Sequence, residues 1–440
     1  MRILKMGLLP LMCGFTLHAS AQTRPDTLKI SSLDAVIDAA VTSNPTQAVY
    51  LEQIKQARFD HKASGGFYYP QASANFNGTD NMSLAVTPVP GELFGQPGKT
   101  IDVKFGKHYV YNTGVTLSQS IFDWTSVMQA KIARDRIRLA ELQQEAYVQT
   151  LKEEVARYYY TALIAKTALA INALDEKLGS SVVLLTGQRL QAGSADRIAL
   201  NQAQINANSI LQNKWQSQQL YDQSIENLKI LLGKAPAAEV IMLDTLNMDS
   251  LVSADVTAVG ADRSLEVYRQ KADIAALQSK SQQSAAFPKI SASAFFGNQQ
   301  FRNDFGLSFS QDSWKSYSYI GLGITVPIFT GFSNTNKYKS QKAQQQVARL
   351  EFDNAQQQSL INDRLLLKNY SDYRQMVTAS YASFKLYGEN LKLNDQKYKE
   401  GVISLDVYQK VFQDYLAAEN VYLNNLSLLL STQSTLVSRK

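Results

Sequence analysis

The side chains that carry most enzymatic and metal chemistry are few in this chain and stand far apart. It has one cysteine, Cys13, and three histidines, His18, His61 and His108. A zinc or iron site needs several such ligands at short, recurring spacings, and none occurs here. A nucleophilic serine needs a sharp strand-to-helix turn and a base, and a phosphate loop needs a glycine-rich junction ending in a lysine; neither pattern is present. The 38 acidic residues are dispersed. No enzymatic chemistry, cofactor or metal is expected, and an exported hydrolase is a class for which the sequence supplies no machinery.

The charge balance excludes another class. The formal net charge is +6, spread along 440 residues, with no basic run able to track a phosphate backbone. Nucleic acid is therefore not an expected partner. With 45% hydrophobic and 19% charged residues the chain is no disordered polymer. Residues 1–21 read as a secretory leader: Arg2 and Lys5 begin it, MGLLPLMCGFTL is its apolar stretch, and Ala19-Ser20-Ala21 is the cleavage site. The apolar stretch is too short for a bilayer anchor, which needs roughly 20 residues. Cleavage leaves 42 basic against 38 acidic side chains, a net +4, and removes Cys13. A lipid anchor on Cys13 is disfavoured because Met12 stands where a small residue belongs. After the leader no apolar run reaches about 18 residues, so the exported chain is periplasmic, secreted, or placed in the outer membrane as strands.

The elements that would position any site come in two copies. ASGGFYYPQASANF (Ala63–Phe76) resembles SQQSAAFPKISASAF (Ser281–Phe295), LSQSIFD around Phe122 resembles ITVPIFT around Phe329, and QRLQAGSADRIAL around Gly193 resembles QKYKEGVISLDVY around Gly401. Pro70 to Pro288 is an offset of 218, whereas Phe122 to Phe329 is 207 and Gly193 to Gly401 is 208. A duplicated unit explains this, with extra residues in the first copy at Met82 to Lys107, a proline- and glycine-rich loop. The expected organisation is a leader 1–21, a first repeat 22–261 with a β-hairpin over 71–122, and a second repeat 262–440 with a β-hairpin over 289–329. Each repeat runs helix, strand, loop, strand, very long helix, tight turn, returning helix.

The strand segments alternate with period two. Tyr109, Tyr111, Val115 and Leu117 share one face, and Asn112, Thr116, Ser118 and Ser120 the other; Ile320, Leu322, Ile324, Val326 and Ile328 alternate with Tyr319, Gly321, Gly323 and Thr325. Ala72, Ala74 and Phe76, and Ile290, Ala292 and Ala294, do so more weakly. An outer-membrane strand alternates this way, and so does a half-buried soluble sheet. Four strands cannot close a membrane barrel, because known barrels begin at about eight. Membrane strands here would have to be completed by identical neighbours, since an open edge in lipid leaves backbone groups unpaired at several kcal/mol each.

From Trp124 to Leu190 no proline interrupts the chain, and small or apolar residues recur every three or four positions through Ala133, Ile137, Ala140, Tyr147, Leu151, Val155, Tyr158, Ala162, Ala165 and Leu169. Such a helix would extend roughly 100 Å at 1.5 Å per residue. Ser340 to Lys399 repeats the feature. Gly193 and Gly401 each stand between two helical stretches, where glycine permits the left-handed residue of a tight helical turn, and both turns are expected at one end, distal to the barrel.

That order closely resembles the TolC-like outer-membrane efflux protein family: LDAVIDAA followed by Asn44-Pro45, YPQ and FPK before strands, SIFD and PIFT after them, the paired glycine turns, and LKILLG at Leu228–Gly233. The resemblance covers nearly the whole chain after the leader. It implies a fold that is mainly α with membrane β: a long helical coiled-coil barrel, with four strands per protomer forming a shared 12-stranded barrel in a homotrimer. It further implies outer-membrane lipid around the barrel, a periplasmic adaptor (membrane fusion) protein, and an inner-membrane transporter of RND or ABC type. Gly193, Ser194, Gly401 and Val402 would form the tips that meet the adaptor, and residues 235–262 an equatorial band. Asp406 and Asp196 are the candidate gate, a carboxylate ring favouring cations; Val402 and Ile403 stand where some members carry a basic residue. The implied function is an outer-membrane channel of a tripartite efflux or type I secretion system. The alternative is a periplasmic structural coiled-coil protein without channel activity.

Overall fold

The computed structural model describes residues 27–248, 251 and 258–440. The leader, its cleavage site and Cys13, and part of 235–262, lie outside the described residues. The chain is mainly helical with some strands, in the order β1 (Thr27–Ile30), α1 (Leu33–Ser43), α2 (Pro45–Ser64), β2 (Gln71–Asp80), β3 (Val86–Pro90), β4 (Thr100–Lys104), β5 (Tyr109–Phe122), α3 (Trp124–Gln191), α4 (Arg197–Leu231), β6 (Glu239–Met242), α5 (Arg263–Ser284), β7 (Lys289–Arg302), β8 (Trp314–Thr325), α6 (Ser333–Lys399) and α7 (Leu405–Ser438). Two compact units form. One takes the described residues of Met1–Asn44, Glu154–Ala254 and Gln375–Ser434; the other takes Pro45–Glu153, the described residues of Asp255–Arg374, and Thr435–Lys440. Each draws on both halves of the sequence. Among the described residues no helix is long and apolar enough to cross a membrane.

The second unit holds a four-stranded antiparallel sheet in the order β2-β5-β7-β8. Residues paired across strands share a face. The register therefore builds rows: Ala72, Leu117, Ala294 and Ile320 in one, Ala74, Val115 and Phe296 in another. These rows merge into one apolar face, exposed in the isolated chain at Leu117, Val115, Phe296, Ile320, Leu322 and Ile324. The opposite face carries Ser73, Thr116, Asn75, Ser118, Ser293 and Gly321. It also carries one aromatic cluster. Phe295 is buried and stacks with Tyr317 and Tyr319, at 4.8 and 5.8 Å between ring centroids. Its ring lies over Gly114 and Gly297, which face each other across β5 and β7. A ring folded over paired glycines covers backbone that would otherwise be bare.

Two expectations about the strands need correction. The second hairpin stops at Thr325 rather than 329, because Pro327 follows and has no N–H for a ladder. β7 runs to Arg302, within the expected hairpin and beyond the weakly alternating Ile290, Ala292 and Ala294. The insertion 82–107 is not simple loop: β3 and β4 pair within it, Val86 with Lys104 through Pro90 with Thr100. β-branched Val86, Thr87, Val89, Ile101 and Val103 favour the ribbon, and its prolines are tolerated because each strand of a two-stranded sheet has a free edge.

In the first unit, β1 pairs in parallel with β6, within a segment that showed no sequence pattern. The Lys166 ammonium on α3 donates to the carbonyls of Met242 and Asp244, 2.9 Å each, and the Tyr159 hydroxyl donates to the Asp244 carboxylate. Asn44 ends α1, its side-chain amide donating to the Leu231 carbonyl at 2.9 Å, while the Ser43 hydroxyl reaches the Leu232 carbonyl at 2.8 Å. The Asn44-Pro45 and LKILLG motifs thus meet in space. On α7, Tyr408, Phe412, Tyr415, Glu419, Tyr422, Leu426 and Leu429 are all buried at alternating spacings of four and three, a heptad seam. α6 begins at Ser333, seven residues before the expected Ser340.

Gly114→Ala tests the aromatic cover. A Cβ there would stand 2.5 Å from Phe295 Cζ and 2.7 Å from the Phe296 carbonyl oxygen, so ring or strand must shift. Overpacking of this kind costs about 1–3 kcal/mol. Chemical denaturation should show a correspondingly lower unfolding midpoint; an unchanged midpoint would mean that Phe295 does not sit over this glycine.

Candidate functional site

The sequence-expected tips are two helix ends of identical construction. Gly193 and Gly401 take φ of +71° and +77°, the left-handed region that an L side chain enters only at a cost. After α3, the N–H of Gly193 donates to Leu190 and that of Ser194 to Arg189, at 3.1 and 2.8 Å; after α6, Gly401 donates to Tyr398 and Val402 to Lys397, at 3.1 and 2.8 Å. Each is a Schellman turn, which satisfies the carbonyls left open where a helix stops. The Ser194 hydroxyl adds a bond to the Arg189 carbonyl at 3.1 Å, while Val402 is exposed.

The structure brings the two turns together. The Arg189 guanidinium, in the last turn of α3, donates to the Tyr398 carbonyl at 2.6 Å and lies over the Tyr398 ring at 4.3 Å. Thr186 and Tyr398 share a hydroxyl–hydroxyl bond of 3.1 Å in a buried setting. Both candidate gate carboxylates are exposed, each at the start of a helix. Asp196 is the N-cap of α4, accepting from the Ala199 N–H at 2.7 Å. Asp406 lies in the first turn of α7. A carboxylate at either place complements the positive end of a helix. Lys399 pairs with Asp395 at 2.7 Å.

Sequence reasoning missed a polar group deeper in the same unit. Asp175 on α3 and Glu419 on α7 are both buried, and both are within hydrogen-bonding reach of each other. The Tyr415 hydroxyl donates to Asp175 Oδ1 at 3.1 Å. Burial pushes both carboxyls up, Asp175 to about 6, and Glu419, which also feels the Asp175 charge, to about 8. A signal existed: position 419 falls in the heptad seam, where an aromatic or leucine is the rule on this helix. Among the described residues no group of three or more His, Cys, Asp or Glu is placed to hold a metal ion.

Comparison with known proteins places this architecture. The model of the family described as outer membrane efflux protein matches residues 49–234 and 257–438. The outer membrane protein TolC of Vibrio cholerae is 21% identical over 282 residues, which span 63% of this chain and 62% of that relative. The crystal structure of CusC superposes with a TM-score of 0.73 over 95% of this chain and 94% of that one, at 19% identity. The CmeC outer membrane channel of Campylobacter jejuni gives a TM-score of 0.71 over 92% and 85%, at 15% identity. At these identities the structural likeness speaks for the fold.

The tie between the turns is testable. Arg189→Ala removes a charge-assisted hydrogen bond worth about 1.5–3 kcal/mol and the ring contact beside it. The 399–404 turn should become the preferred site of limited proteolysis, with little change elsewhere in the digest. A digest identical to wild type would show that Arg189 does not hold the end of α6.

Proposed function

The chain belongs to the outer membrane efflux protein family, and on that premise we propose that it is the outer-membrane channel of a tripartite efflux or type I secretion assembly. It conducts substrate passively across the outer membrane and periplasm and does no chemistry of its own. Three copies close one barrel of 12 strands, with β2 of each protomer continuing the sheet at β8 of its neighbour. The helices form the periplasmic part of the duct. Each protomer is a duplicated unit, residues 22–261 and 262–440. A periplasmic adaptor meets the tips at Gly193, Ser194, Gly401 and Val402, and an inner-membrane transporter of RND or ABC type supplies the energy. Asp196 and Asp406 line the gate and favour cations.

One observation carries this reading. The register of β2, β5, β7 and β8 gathers their aliphatic residues onto a single exposed face, with the Phe295 cluster on the other, and the sheet ends in two open edges. Such a face in water invites aggregation, and such edges in lipid leave backbone groups unpaired. Closure by identical neighbours answers both, with lipid outside.

Leu322→Arg separates a membrane duct from a periplasmic filament. Leu322 is 68% exposed in the single chain, so a water-soluble protein would accept arginine there with little effect. On a lipid-facing strand the same change costs about 2–4 kcal/mol near the bilayer centre. The variant should be depleted from the outer-membrane fraction and lose its detergent-resistant trimer. Wild-type protein that extracts without detergent, or an arginine variant that behaves as wild type, would overturn the channel. Gly401→Pro should abolish export while the sheet still inserts, because proline cannot take φ of +77°; unimpaired export from that variant would count against the tip.

A further inference from the structure

The seam between α3 and α7 contains two acids with too few donors. Asp175 and Glu419 are each about 4% exposed. Asp175 Oδ1 receives the Tyr415 hydroxyl, but Oδ2, fully buried, has no donor among the described residues. A carboxylate oxygen buried without a donor is costly, and two adjacent buried carboxylates are costlier still. A single proton on Glu419 removes both difficulties, because the acid then donates to Asp175 and only one negative charge remains. Two acids pressed together in an apolar site share a proton for this reason.

Among the described residues the surroundings leave the pair no other neutraliser. From α7 come the Tyr415 hydroxyl and, two turns away, Tyr408, whose hydroxyl has no partner among the described residues and whose pKa is pushed up by burial, Asp395, Tyr398 and Asp175. From α6 the Phe384 ring stacks on Tyr415 and Tyr422 at 5.5 Å. From α4, Ser217 receives the Asn172 side-chain amide at 3.3 Å, and Lys214 pairs at 2.5 Å with Glu176, both about a third exposed. That lysine is thus committed to Asp175's neighbour in the chain. The pair also stands at one end of an aromatic ladder: Tyr415, Phe412, Tyr408 and Tyr398 follow one another at 6.4, 6.3 and 5.1 Å, ending under Arg189 at the tip turns.

We propose that Asp175 and Glu419 form a proton-locked clasp, which holds α7 against α3 while Glu419 keeps its proton and loosens the seam when alkali removes it. Both carboxyls have folded-state pKa values raised above the ordinary range. Their contribution to stability is therefore full in acid, declines as pH rises above the unfolded value, and is lost once pH passes the raised value of Glu419. The clasp is a property of the packing within one unit and holds whether or not the chain conducts.

The test uses the full-length protein purified from membranes in detergent. Infrared spectra of wild type should show the carbonyl stretch of a protonated, non-exchanging carboxylic acid at about pH 7 and its loss by about pH 9.5. Glu419→Gln should lack the band, and Asp175→Asn, which keeps an acceptor but removes the charge, should shift its loss to lower pH. Hydrogen exchange across 408–422 supplies the second readout, and comparing two proteins at one pH cancels the chemical pH dependence of exchange. The ratio of wild-type to Glu419→Gln exchange should rise about tenfold between about pH 7 and about pH 9.5. Absence of the band from wild type at neutral pH, its persistence in Glu419→Gln, or an exchange ratio that does not change between the two pH values would overturn the clasp. The wild-type spectrum decides the matter even if the glutamine variant fails to fold.

Discussion

Everything in the sheet-bearing unit answers to the demand that backbone N–H and C=O groups be paired. Within the sheet, β5 and β7 are satisfied on both sides, and β2 and β8 on one. A soluble protein with such edges blunts them with charge, proline or a covering helix. Here β8 carries Tyr317, Tyr319, Ile320, Leu322 and Ile324, with only Lys315 charged. β2, QASANFNGTD, has a single charge at its last residue. These are edges built to be continued. The aliphatic residues Leu117, Ile320, Leu322 and Ile324 fall on one face, and the aromatic cluster of Phe295 on the other. The same register fixes the side on which Ser73, Thr116, Asn75 and their neighbours stand.

The helical unit solves a different problem, that of holding long helices in one register when small and polar residues dilute the apolar contact. Buried polar residues recur through its seams: Asn172, Asp175 and Thr186 on α3, Glu419 on α7. Each has a defined counterpart, Ser217, Tyr415 and Tyr398 for the first three. Pairings of this sort tolerate no slip of one helix past another, whereas leucine on leucine would. The glycine turns inherit this fixity. Arg189 meets Tyr398 only because α3 and α6 end level with one another, and both Schellman turns depend on a residue free to adopt positive φ.

Much of this was legible in the sequence, for identifiable reasons. The long helices announce themselves by the absence of proline and the three–four spacing, and α3 ends within a residue of its expected limit. The first hairpin's outer bounds coincide with Gln71 and Phe122 because alternation and the SIFD boundary are local signals. The glycine turns follow from conformational freedom that only glycine has. What stayed hidden depends on partners distant in sequence. The four-residue β1 and β6 are too short to show a period and exist because they pair with each other. The β3–β4 ribbon hid behind its prolines, which weigh against a strand only where both edges must be paired. Asp196 proved to be a helix cap, which its position three residues after a turn glycine and one before α4 foreshadowed. The Asp175–Glu419 pair needed the heptad on α7 to be phased against α3, and 244 positions of chain separate the two residues.

Glu419 also bears on what a seam of this kind is for. A leucine at that position would bury apolar surface and remove an acid whose desolvation is costly, and replacements of buried ionic groups by apolar ones are often stabilising by about 1–4 kcal/mol. Stability alone therefore does not account for a glutamate between Tyr415 and Tyr422. Register does so in part, since the acid finds Asp175 at one alignment only. Register could be set equally well by an amide, as Asn172 with Ser217 demonstrates in the same unit. What an acid adds over an amide is a contact whose strength depends on a removable proton. That contact stands at the end of an aromatic ladder that runs through Tyr415, Phe412 and Tyr408 to Tyr398 and Arg189, so the seam and the glycine turn after α6 share one run of packed rings.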